Sequence, residues 1–132
     1  MEFSPLLLTT IGSLVAILLL YLVTRAFGLG GDPLLHDAQD VARVAGETFD
    51  GFDPVRSAIG EDGRAALAED REGRIVLVRR HGNRFAGRVL DSRARAACEG
   101  GAIRVDAGDA RFGTVRLAIG DADCWAAAIN RL

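Results

Sequence analysis

The densest chemistry in the chain lies in one short stretch, Arg79-Arg80-His81-Gly82-Asn83-Arg84-Phe85, directly after the aliphatic run Ile75-Val76-Leu77-Val78. Guanidinium groups are permanently charged, planar donors that suit carboxylates and phosphates, and imidazole adds a donor or an acceptor. Together with Arg88, the residues Arg79, His81 and Arg84 form a candidate interaction surface for anionic groups. The same residues also fit the polar tip of a solvated hairpin.

Other chemistry is sparse. All sixteen basic residues are arginine, so no lysine is present to form a Schiff base or to serve a phosphate-binding loop. His36 and His81 are the only histidines, and Cys98 and Cys124 lack the paired spacing of a zinc site. A Cys98–His81 nucleophile and base has no supporting motif, and a free cysteine more often fills space. Gly28-Leu29-Gly30-Gly31 follows no strand, unlike a dinucleotide loop, and Asp106 to Asp109 offers too few oxygen ligands for a calcium loop. These residues assign no catalytic group, no metal ligand and no cofactor. With a net charge of −2, one basic region and no aromatic interleaving beyond Phe85, no nucleic-acid partner is expected.

The elements that position these residues begin with an anchor. Leu6 to Val23 contains no charged side chain, and a helix of this length nearly spans a hydrocarbon core of about 30 Å, with Arg25 able to snorkel at its edge. Glu2 is the only charge before the run, and Thr24-Arg25-Ala26 fits a cleavage site poorly, which favours a retained signal anchor over a cleaved signal peptide. The division is an anchor over residues 1–27, a glycine-rich joint over 28–32 and a small soluble domain over 33–132. Arg25 after the span places the domain in the cytoplasm, with the chain in the cell inner membrane and the bilayer met through residues 6–23.

Within the domain, Asp32-Pro33 reads as a helix start with Asp32 as cap, and Leu34, Val41, Val44, Ala45, Thr48 and Phe49 supply its apolar stripe. Asp53-Pro54 reads as a second short helix start leading through Val55, Ala58 and Ile59. Strands are then expected at Arg64 to Leu67, Arg74 to Arg80, Phe85 to Leu90, Arg93 to Cys98, Ile103 to Val105 and Val115 to Ile119, with a closing helix from Ala122 carrying Trp125, Ala128, Ile129 and Leu132. The fold class is α+β: an N-terminal transmembrane helix, a small antiparallel curled sheet or partly open barrel, and a C-terminal helix.

The hairpin Arg74 to Leu90 and the terminal helix with Trp125 resemble, in order and size, a pleckstrin-homology-like domain, and the chain is similar to small bacterial single-span membrane proteins that carry one. That likeness covers roughly residues 64 to 132 and is architectural; the six strands counted here fall one short of the family's seven. It implies phosphoinositide, peptide or protein binding at a barrel rim, although no lipid-binding consensus is present.

Two hairpin registers are open, with either Gly82-Asn83 or His81-Gly82 as the turn. In both, Val76, Val78, Phe85 and Val89 form the core face, while Arg79, Arg84 and Arg88 leave from the other beside Ile75 and Leu77. Residues 71–95 hold eight arginines against Glu72 and Asp91, whereas Asp37 to Asp62 holds seven acids against Arg43 and Arg56. The asymmetry has three resolutions: the acidic segment packs over the basic hairpin, the basic face binds a protein partner, or it meets anionic headgroups as a lipid-binding or small-ligand module. A small subunit of a membrane enzyme complex is a further alternative. The leading function is a membrane-anchored interaction protein that binds a protein partner.

The topology is directly testable. The mature protein should keep its first twenty-six residues by N-terminal mass, and a reporter fused after Leu132 should report from the cytoplasm; activity of an export-dependent reporter would reverse the orientation.

Overall fold

A computed structural model of the chain describes residues 4–27 and 33–132, which form two separate units divided at Asp32. The glycine joint at 28–32 and the proposed Asp32 cap lie outside the described residues. The first unit is one helix, α1 (Pro5–Ala26), long and apolar enough to cross a membrane, as an anchor or a signal sequence would be. Ser4 caps it by accepting from the Leu7 amide, and Pro5 takes a first-turn position where its missing N–H costs nothing. Thr9, Thr10 and Ser13 donate to carbonyls one turn back, which satisfies their hydroxyls within the helix.

The second unit opens with α2 (Ala38–Thr48), whose N-cap is Asp37, accepting from the Asp40 amide at 3.0 Å. The helix start read at Pro33 is therefore corrected: the chain from Pro33 to His36 is non-helical, and Leu35, rather than Leu34, is buried, its amide donating to the Gly63 carbonyl at 2.8 Å. The expected second helix is also corrected. Pro54–Ile59 is a strand, β1, because pairing it with the next strand satisfies its backbone along the sheet and brings Ala58 onto the core.

After β1 come β2 (Ala65–Asp70), β3 (Ile75–His81), β4 (Arg84–Val89), β5 (Arg95–Glu99), β6 (Ala102–Asp106) and β7 (Thr114–Ala118), closed by α3 (Ala122–Asn130). The strands make two antiparallel meanders, β1-β2-β3-β4 and β5-β6-β7, rather than the single curled sheet expected, and they form no closed barrel. Among the described residues seven strands replace the six counted from the sequence, the additional one being β1.

The β3–β4 hairpin takes the register in which Val76 faces Val89 and Val78 faces Gly87. Gly82 supplies the positive φ of +66° that a two-residue hairpin turn needs at its first central position. Val76 and Val78, with Ala66 and Ala68, lie under Val41, Val44 and Ala45 of α2. Close seating of α2 requires glycine at 87, since a Cβ there would overlap the Thr48 hydroxyl. Ile75 and Leu77 do not face solvent as the hairpin alone suggested. They join Leu67, Ile103, Val105, Val115, Leu117, Trp125 and Ile129 in the core between the two sheets and α3.

Trp125 is 1% exposed, and the Arg56 guanidinium lies 4.0 Å from its ring centroid while bonding Glu69 at 2.8 Å. The Asn130 amide exchanges two hydrogen bonds with the Ala96 backbone, at 2.9 and 2.8 Å, and so occupies part of the free edge of β5. Replacing Trp125 with alanine removes the largest fully buried side chain. Trp125→Ala should cost about 3–5 kcal/mol in unfolding of the full-length protein; a loss under about 1 kcal/mol would show that α3 does not close the core.

Candidate functional site

β3 and β4 carry the basic residues on the face that turns toward the second sheet. The register sets Leu77 opposite Arg88, Arg79 opposite Ala86 and His81 opposite Arg84. On that face the apolar residues stop at Leu77, and beyond it the loop from Ala107 to Gly113, between β6 and β7, comes up beside the arginines. Arg79 donates through Nη1 to the Phe112 carbonyl and holds its guanidinium 5.6 Å from the Phe112 ring centroid. Arg88 pairs with Asp109, Nη2 to Oδ2 at 2.5 Å.

Arg79, His81, Ala86, Arg88, Asp109, Arg111 and Phe112 line a cleft of about 350 Å³. Ala86, opposite Arg79, is small enough to leave the floor open. His81 and Arg111 are exposed at the rim, and Arg84 sits beside His81 in the ladder, equally exposed, without lining the cleft. Three of the four sequence-derived residues thus line one cavity with its fourth alongside. α2, the helical part of the acidic stretch, packs on the opposite side of the sheet, and no residue of 37–62 lines the cleft; the acid in the cleft is Asp109.

Asp109, Arg111 and Phe112 were not visible as site residues in the sequence, and no local pattern links them to a hairpin more than twenty residues earlier. The loop that delivers them is tied internally. Asp106 Oδ1 accepts from the Gly108 amide, Asp109 Oδ1 from the Arg111 amide at 2.9 Å, and the Asp109 carbonyl from the Gly113 amide at 2.9 Å. The Arg111 amide, followed by the charges of Arg88, Arg111 and Arg93, outweighs partial desolvation and holds the Asp109 carboxyl below the usual aspartate value of 3.8. Asp109 is therefore a carboxylate at neutral pH. The cleft combines three guanidinium groups, one imidazole, one carboxylate and one aromatic wall, a set able to bind an oxyanion.

A second concavity, about 200 Å³, is lined by Gly51, Asp53, Asp70, Arg71, Glu72 and Arg74. Its central acid is already engaged: buried Asp70 accepts from the Glu72 and Arg74 amides at 3.0 and 2.9 Å and from Arg74 Nε at 2.6 Å. Arg74 also pairs with Glu72 and lies 4.4 Å from the Phe49 ring centroid, which joins the β2–β3 turn to the end of α2.

Cys98 and Cys124 are exposed free thiols. A hydrogen bond to Asp123, with burial and the charge of the same residue, raises the Cys98 pKa, which opposes thiolate formation. Among the described residues, no three His, Cys, Asp or Glu side chains are grouped to hold a metal ion. Comparison with family models, curated proteins and solved structures found no match to the chain.

Burial pushes the Asp70 carboxyl up, but the Arg74 side-chain and backbone hydrogen bonds, the Arg74 charge and the Glu72 amide prevail and lower its pKa. A lowered folded-state pKa stabilises the fold above the unfolded value, and that contribution disappears as pH falls through the folded one. Asp70→Asn should therefore cost about 1–2 kcal/mol near pH 7. Unfolding curves of the two proteins should converge below the ordinary aspartate pKa of 3.8; a pH-independent gap would show that the carboxylate charge is not the stabilising feature.

Proposed function

We propose that the protein is a membrane-anchored binding module whose cytoplasmic domain holds an acidic segment of a partner protein in the arginine cleft. In this reading α1 is retained as a single-pass anchor in the inner membrane. The observation that carries the reading is the cleft itself, where Arg79, Arg88 and Arg111 surround about 350 Å³ that contains one opposing carboxylate, Asp109. Charges arranged this way contribute orientation, encounter rate and selectivity for acidic partners. The volume is near the lower end of ligand pockets, about 300–1,000 Å³, and suits one or two side chains better than a folded element.

The order of seven strands followed by a helix supports treating the domain as pleckstrin-homology-like, although its two sheets do not close into a barrel. Anionic headgroups are the second reading, favoured by the apolar helix at the chain's start, which would hold the domain close to a charged surface.

Arg79 and Arg88 make internal contacts, so exposed Arg84 and Arg111 are the cleaner probes. Arg84→Gln with Arg111→Gln in the full-length protein should change stability by less than about 1 kcal/mol. Crosslinking in native membranes should then recover several-fold less partner, and the salt dependence of the remaining capture should fall. Undiminished capture of the same partner would remove the cleft from the interaction.

A further inference from the structure

We infer that Asp109 is the built-in occupant of the cleft, its carboxylate standing where a carboxylate of an acidic peptide docks on Arg88, so that the ligand binds by exchange with it. The inference rests on the binding-module reading and adds both the ligand chemistry, a Glu- or Asp-rich peptide, and a competitor within the chain. Three features support it.

Asp109 divides its work. Its Oδ2 meets Arg88 Nη2, whereas its Oδ1 is committed to the Arg111 amide that shapes the loop. Arg88 is thus met by one carboxylate oxygen while the other is held by the loop. A ligand carboxylate has no such duty and can take the guanidinium fork with two parallel hydrogen bonds, the stronger arrangement. The pair is also accessible, with the Arg88 side chain 42% exposed and Asp109 21%, so exchange requires no opening of the core. Surface pairs of this kind are held weakly enough to be displaced.

The surroundings favour carboxylate over phosphate. A phosphate dianion placed on Arg88 would lie next to the Asp109 charge, whereas a monoanionic carboxylate meets less repulsion and can lay its methylene groups along Phe112.

The test uses the full-length protein in detergent micelles with a fluorescently labelled hexaglutamate peptide as probe. Asp109→Asn keeps an oxygen for the Arg111 amide while removing the charge, and should tighten binding about three- to fivefold, the range expected when one exposed pair no longer competes. Asp109→Ser, a second variant able to accept the same hydrogen bond, should move affinity in the same direction. Arg88→Gln should weaken binding, and adding Asp109→Asn to it should restore little, because the competitor acts through Arg88. Thermal melting of each variant identifies any that are unfolded, and affinities are compared only among those that fold.

If hexaglutamate binds and Arg88→Gln weakens it, but neither Asp109 variant tightens it, the exchange idea is overturned while the acidic-partner reading stands. If hexaglutamate fails to bind any variant, both fall. Binding of inorganic phosphate in place of hexaglutamate, or of vesicles containing anionic lipid alone, also overturns the proposal and assigns the cleft to phosphate oxygens or to the membrane surface respectively.

Discussion

Ile75, Val76, Leu77 and Val78 are four consecutive aliphatic residues on an extended strand, and the pleat sends them alternately to opposite faces, so burying all of them requires a cover on each side of β3. The rest of the domain follows from that requirement. α2 covers the face of Val76 and Val78, while the three-stranded sheet and α3 cover the face of Ile75 and Leu77. Neither cover is interchangeable with the other. The first is one amphipathic helix seated against Gly87, and the second is a continuous core ending on Trp125.

The same alternation decides what becomes of the arginines. Arg79 and Arg88 share the parity of Leu77, so the second sheet that buries Leu77 also brings its β6–β7 loop alongside them. Partly desolvated guanidinium groups need acceptors, and the loop provides the Phe112 carbonyl and the Asp109 carboxylate. The cleft is what remains where the apolar contacts stop and the loop does not fill the space above Ala86. The lining of the cleft and a set of structural contacts are thus built from the same side chains, which is why Arg84 and Arg111 are more separable from the fold than Arg79 and Arg88.

Edges and turns show a related economy. The Asn130 amide presents one donor and one acceptor to Ala96 and stands in for part of a missing neighbour strand on β5. Asp70 collects the amides of the β2–β3 turn together with Arg74, and Arg74 in turn reaches Phe49. Both devices join segments distant in sequence through single side chains that look ordinary in composition.

Much of the secondary structure was legible in the chain because its causes are local. The uncharged run before Arg25, the alternation through Val115 and Leu117, a tight turn at Gly82 and the stripe around Trp125 each express a period or a backbone preference within a few residues. The exceptions are instructive. Asp53-Pro54 carries the marks of a helix start, yet hydrogen bonding to β2 makes it a strand, because a partner strand outweighs a local cap. Asp37 caps α2, four residues after the start read at Pro33, because the Leu35–Gly63 hydrogen bond holds the preceding chain out of the helix. The sequence by itself determined the apolar helix, the α+β class and the shared face of Arg79, Arg84 and Arg88, since parity along a strand is independent of what packs on it. Only the tertiary structure decided that this face meets Asp109 and Phe112 instead of open water, because that depends on a second sheet whose approach no local pattern encodes.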